Sequence, residues 1–275
     1  AMARALSREA GSAVILTDPV YPYYPGKTTM LGGEQVFVPA DDDGQLDPDR
    51  VAAAASEQTA CIVVNTPNNP TGAVYPAETM ERLVAIAEAN DAILVSDEVY
   101  DHFDYSGEFT SALSVDSSNR IVTGSFSKTY AITGFRVGYV IVPDEHVDAV
   151  RTRHMLTNVA GSRPAQYAVL HALRSTDPAY HQANRELLED RIETFTTALD
   201  RAGAEYTKPA GAFYVMARFP GVEGTLENTF TLIDEAGVAG MPGESFGTAF
   251  DDWFRFALVT PRVDEAADRL VAYFD

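Results

Sequence analysis

Lysine is scarce in this chain: of its 20 basic residues, only Lys27, Lys128 and Lys208 are lysines. Lys128 stands in the small-polar run Ser125-Phe126-Ser127-Lys128-Thr129, and Arg136 closes the same stretch. A lysine amine can lose its proton and form an imine with a carbonyl, whereas a guanidinium stays charged. Two earlier stretches also concentrate reactive groups. Asn65-Thr66-Pro67-Asn68-Asn69-Pro70-Thr71-Gly72 supplies amides, and Ser96-Asp97-Glu98-Val99-Tyr100 supplies a carboxylate with a phenol three residues on. Taken singly, each has a plainer reading: a loop lysine, an Asn-Pro-Thr-Gly turn, an aspartate at a helix N-cap, a surface arginine. Their order along the chain is the more specific signal.

The elements that must position them are short β-rich apolar runs alternating with helical patterns, the signature of parallel strands joined by crossover helices. Strands are expected at 14–17, 36–38, 60–65, 92–96, 121–123 and 137–142. Between the third and fourth, Met80, Leu83, Val84 and Ala87 recur at helical spacing within 76–90, behind a proline in the first turn. From Asp144 onward long helices follow, at 145–159 and 164–173, then one opened by Asp177-Pro178 and closed near Gly203. Strands near 212–218 and 254–258 and helices near 226–235 and 263–274 complete the pattern. The fold class is α/β. Residues 1–160 form a large domain, 161–176 a connecting helix and 177–275 a smaller C-terminal α/β domain.

In a parallel α/β sheet the ligand crevice opens beyond the carboxyl ends of the strands. Three successive predicted strands run into Asn69, into Asp97 and Tyr100, and into Ser125 and Lys128. This set suits a pyridine cofactor that bears an aldehyde and a phosphate. The amine forms the Schiff base, the carboxylate keeps the ring nitrogen protonated as an electron sink, and amide or phenol steadies the ring oxygen. Ser125, Ser127 and Arg136 are the candidate phosphate ligands.

Composition agrees with a globular protein that works on small molecules. With 275 residues, 46% of them hydrophobic, the chain can bury one large core or two unequal ones. Its 40 acidic against 20 basic residues give a net charge of -20, spread along the chain, which repels nucleic acid and anionic membrane. Acid excess with scarce lysine is the balance expected of a protein from a salty, halophilic cytoplasm. The single cysteine, Cys61, lies in an apolar run and reads as core packing in a reducing compartment. The histidines form no metal-ligand spacing. His102 follows the Asp97 motif near the crevice, while His146, His154, His171 and His181 fall on helical stretches.

These segments, together with Asp18-Pro19-Val20-Tyr21-Pro22-Tyr23-Tyr24, Gly211-Ala212-Phe213-Tyr214 and Arg255-Phe256-Ala257, resemble the class I/II aminotransferases. That family belongs to the pyridoxal-phosphate fold-type I group, and the likeness, nearest the aspartate aminotransferases, spans nearly the whole chain. It implies a mainly parallel sheet flanked by helices, pyridoxal 5'-phosphate as cofactor, a homodimer, and transfer of an amino group between an L-amino acid and a 2-oxo acid. Carried over by position, Lys128 matches the Schiff-base lysine that also moves the Cα proton, and Asp97 the partner of the pyridine nitrogen. Asn69 and Tyr100 match the ring-oxygen contacts, and Ser125, Ser127 and Arg136 the phosphate ligands. Tyr21 falls where an aromatic covers the pyridine face, with Tyr23 and Tyr24 a small shift away. Arg255 matches the arginine that grips the substrate α-carboxylate, with Asn69 beside it.

The family pattern also includes an N-terminal region with a glycine-rich turn that binds phosphate at a helix N-terminus. Here Ala1-Met2-Ala3-Arg4-Ala5-Leu6 reads as the helix after that turn, so an N-terminally incomplete chain is expected. The same residues would serve a pyridoxal-phosphate carbon-sulfur β-lyase, or a non-catalytic ligand-sensing domain of a regulator. Aspartate with 2-oxoglutarate is the group-level substrate expectation, with aromatic amino acids and alanine behind it.

Overall fold

Strands covered on both faces read as continuous apolar runs. β1 (Ala13–Asp18) and β3 (Thr59–Asn65) are of this kind, buried at every position in the computed structural model, which describes residues 11–274. The helix expected over residues 1–6 lies outside them. With β2 (Glu34–Pro39), β4 (Ile93–Asp97), β5 (Arg120–Ser125) and β6 (Gly138–Ile141) they form a six-stranded sheet in the order β2-β1-β3-β4-β5-β6. Alternate residues feed two core layers. Ile15, Ile62, Val64, Leu94 and Val122 pack on one side with Met80, Leu83 and Val84 of a helix, while Val14, Leu16, Cys61, Val63, Ile93 and Ile121 fill the other. Burial there pushes the Cys61 thiol up to about 12, which keeps it protonated and inert.

The sheet is parallel through β5, but β6 runs antiparallel to it, with Ser125 opposite Gly138 and Val122 opposite Ile141. The sequence pattern implied a parallel strand there. A parallel neighbour needs a long crossover, whereas the β5–β6 link is used up by the Lys128 turn and returns at the same end of the sheet. Two short helices, α1 (Tyr23–Met30) and α2 (Pro48–Ala54), carry no apolar periodicity of their own. Pro25 is tolerated in α1 because the first turn leaves its N–H groups unbonded. The expected crossover helix is α3 (Ala77–Ala89), with Pro76 standing at its N-cap instead of within its first turn. Lys128 lies on α4 (Phe126–Thr129), a single turn whose N-cap, Ser125, accepts a hydrogen bond from the Ser127 amide.

Three helices follow: α5 (Asp144–Asn158), α6 (Arg163–Ser175) and the long α7 (Pro178–Arg201), capped by Asp177. None among the described residues is long and apolar enough to cross a membrane. The second sheet has the order β7-β8-β10-β9, from β7 (Glu205–Tyr206), β8 (Tyr214–Arg218), β9 (Met241–Pro242) and β10 (Phe254–Ala257), all pairs antiparallel. Its core joins Val215, Phe254 and Phe256 to Phe195 and Leu199 of α7, Leu232 of α8 (Leu226–Ala236) and Leu270 of α9 (Val263–Phe274). The two sheets are tied together by the segment ahead of β8. The Thr207 hydroxyl donates to Thr71 O, the amides of Ala210 and Gly211 donate to Gly72 O, and that of Ala212 donates to Phe103 O.

Candidate active site

Parallel strands stop in register, so their last residues gather along one edge. Asn65 pairs with Asp97 across β3 and β4, and Asp97 with Thr123 across β4 and β5. Side chains then stitch the edge. Asn65 Nδ2 donates to Asp97 O at 2.8 Å, and Asn65 Oδ1 accepts the Asn69 amide at 2.8 Å, which orients the following turn. All nine residues singled out from the sequence, Tyr21, Asn69, Asp97, Tyr100, Ser125, Ser127, Lys128, Arg136 and Arg255, line one cavity of about 820 Å³ above this edge.

Lys128 is half-buried, its Nζ 5.9 Å from the ring centre of Tyr100 and 5.8 Å from that of Phe213. Burial, and then the guanidinium charges of Arg255 and Arg136, hold its pKa below the ordinary lysine value. That is the environment that frees a lysine to act as a nucleophile.

Asp97 is held by a partner the sequence reading left aside. The Tyr24 phenol donates to its Oδ2 in a short hydrogen bond, and burial beside this carboxylate keeps the phenol well above its ordinary pKa. Asp97 Oδ1 is buried and has no hydrogen bond. Desolvation raises the pKa of the carboxyl, with Tyr24, Thr123 and the Val99 backbone acting in the opposite direction. A buried carboxylate oxygen without a donor is costly, and a cationic ring N–H at this point would remove the cost.

Arg255 crosses from the second sheet. Its guanidinium lies over the rings of Tyr214 and Phe246, at 4.6 and 5.1 Å, and Nη1 donates to Asn69 Oδ1 at 3.1 Å. Its Nε is buried with no partner, and burial lowers its pKa without removing its charge. The result is a fork with a free donor edge, shaped for a carboxylate. Tyr100 meets Tyr214 hydroxyl to hydroxyl at 3.0 Å, and desolvation pushes its pKa up strongly, so the phenol stays protonated. Arg136 sits in the left-handed region at φ 55°, exposed, and donates through Nη1 to Thr133 O at 2.7 Å. His102 falls outside this cavity. It lies against Asp101, with Nδ1 2.7 Å from Oδ1, and 4.7 Å from the ring of His181.

The family model for class I and II aminotransferases matches residues 1–270. The chain belongs to that family. It is 34% identical over 242 residues to an aspartate/prephenate aminotransferase of Thermus thermophilus, covering 86% of this chain and 63% of that protein. An aromatic-amino-acid aminotransferase of Thermococcus litoralis is 32% identical over 271 residues, with 94% and 68% covered. The chain thus spans somewhat under two thirds of the length of the first of these. Among solved structures, an aspartate aminotransferase mutant from Thermus thermophilus superposes with a TM-score of 0.92 at 32% identity, covering 98% of this chain and 72% of that one.

Pyridoxal phosphate is the cofactor of class I/II aminotransferases. The donor set here fits it: a nucleophilic amine, a carboxylate with a vacant buried acceptor, neutral phenol and amide donors, and hydroxyls with a guanidinium for phosphate. Three lining residues of consequence are not among the nine singled out from the sequence. Tyr24 lay within a quoted motif as an alternative to Tyr21, and Tyr214 ended another. Phe246 carries no local signal.

Proposed function

We propose that this chain carries the catalytic centre of a pyridoxal-phosphate-dependent aminotransferase acting between an L-amino acid and a 2-oxo acid. The observation that carries the reading is the joint occurrence, in one cavity, of a lysine with lowered pKa and two buried polar atoms lacking partners, Asp97 Oδ1 and Arg255 Nε. Bound there, pyridoxal phosphate supplies a carbonyl for amine exchange and a protonated ring that accepts an electron pair.

The remaining chemistry belongs to the chain. Lys128 anchors the cofactor, and when displaced its neutral amine takes the substrate Cα proton and returns it elsewhere. Asp97, oriented by Tyr24, holds a proton at the ring nitrogen. Tyr214 can donate to the Tyr100 oxygen, which leaves the Tyr100 hydroxyl hydrogen, with the Asn69 amide, for the ring oxygen. Ser125, Ser127 and Arg136 hold the phosphate, and Tyr21 covers the ring face. Arg255 receives the α-carboxylate in a bidentate grip, with Asn69 fixing its orientation.

We take aspartate and 2-oxoglutarate as the leading substrate pair and aromatic amino acids as the next. The names of the relatives support aspartate and aromatic amino acids as amino donors. The division into 1–160, 161–176 and 177–275 rests on the sequence pattern, and the presence of two sheets, one formed by β1–β6 and one by β7–β10, supports a larger and a smaller unit. A homodimer, a cytoplasmic location and a salt-adapted surface accompany this reading, the last from the net charge of -20.

Borohydride treatment of the protein with pyridoxal phosphate should leave a stable adduct that peptide mass spectrometry places on Lys128, and a panel of amino acids with 2-oxo acids should then show amino transfer. An adduct on another residue, or ammonia release without an oxo-acid acceptor, would overturn the proposal.

A further inference from the structure

Asp18, at the end of β1, is 4% exposed and spends its carboxylate on a loop of the second sheet. Both its oxygens lie 3.1 Å from the Thr248 amide, and Oδ2 accepts the Thr248 hydroxyl at 2.9 Å. Gly247 makes the approach possible. At φ 131° it occupies a backbone region that favours glycine, and a Cβ built there would stand 2.0 Å from Asp18 Oδ1. A backbone bond runs alongside, from the Val20 amide to Phe246 O at 2.6 Å. The clasp therefore joins the two walls of the site. On one side it sets the chain just ahead of Tyr21, and on the other it holds Phe246, the ring beneath the Arg255 guanidinium.

We infer that Asp18 is a positioning residue for the carboxylate grip of Arg255, acting through Gly247, Thr248 and Phe246. This deepens the proposed function, since it rests on Arg255 receiving a substrate carboxylate. Phe246 and Tyr214 both pack against the guanidinium, so the direction of its free edge depends on where the clasp fixes Phe246. Releasing the clasp lets Phe246 drift, and the fork loses its aim while Lys128 and Asp97 keep theirs.

The test is calorimetric titration of maleate, a non-reacting dicarboxylate, into the protein loaded with pyridoxal phosphate. Asp18→Asn keeps the volume and removes the charge. It should weaken maleate binding about tenfold, the worth of one charge-assisted hydrogen bond, and leave the Lys128 adduct unchanged. Gly247→Ala, which crowds the carboxylate out, should reproduce the loss. Combined with Arg255→Lys, Asp18→Asn should add little further, since coupled residues are non-additive. Unchanged affinity, additive losses, or no maleate binding by the unmutated protein would overturn the inference. Failure of the Lys128 adduct, read separately, would instead overturn the proposed function.

Discussion

Tyr24 and Asp97, 73 positions apart, are joined by a hydrogen bond from the phenol to Oδ2 that leaves Oδ1 buried and unpartnered. One oxygen is spent on orientation, and in the proposed function the other serves the ligand. A carboxylate left free on both sides would rotate, and one satisfied on both sides would have nothing to offer a ring nitrogen.

Removing the phenol should therefore cost cofactor affinity more than fold. Tyr24→Phe keeps the ring and deletes the donor, so the Asp97 carboxyl loses one of the groups that favour its charged form and its pKa rises further, with Thr123 and the Val99 backbone still acting on it. Pyridoxal phosphate affinity, measured by equilibrium dialysis, should fall about tenfold, while the thermal midpoint moves little.

The lowered pKa of Lys128 has a stability consequence of definite sign. Its folded value lies below the ordinary 10.5, so between the two the unfolded chain binds more protons and stability rises with pH. Below the lowered value the penalty is fully present. Lys128→Met should melt at a higher temperature than the unmutated, cofactor-free protein at neutral pH, and the difference should shrink as pH approaches 10.5. Arg255→Met removes a neighbouring charge, and should move the pH midpoint for adduct formation at Lys128 upward.

Gly72 is a point of attachment between the segments carrying the two sheets. It has φ +78°, its carbonyl accepts the Ala210 and Gly211 amides, and a Cβ there would meet Pro209 at 2.5 Å. Gly72→Ala should destabilise the protein by about 1–3 kcal/mol in urea unfolding, through backbone strain and crowding.

The net charge of -20 predicts a salt response. Screening of self-repulsion should raise the thermal midpoint steadily from low salt into molar potassium chloride. A midpoint that stays flat or falls would remove the halophilic reading.

The sequence alone located the large-sheet strands but not their order in the sheet, and for β1, β3 and β4 continuous apolar runs ending in polar residues report burial and a crevice without any knowledge of neighbours. Asn69, Asp97 and Lys128 were legible for that reason, each standing just beyond such a run, and Arg255 from its motif. Tertiary structure decided what each of them touches. Arg255 reaches Asn69 across 186 positions and Asp18 reaches Thr248 across 230, contacts that no local pattern encodes. The reversed direction of β6, the bond from Tyr24 to Asp97 and the seat of Phe246 under Arg255 likewise depend on how distant elements pack. Local patterns fix which face of an element is buried, but the partner on that face is chosen by the whole fold.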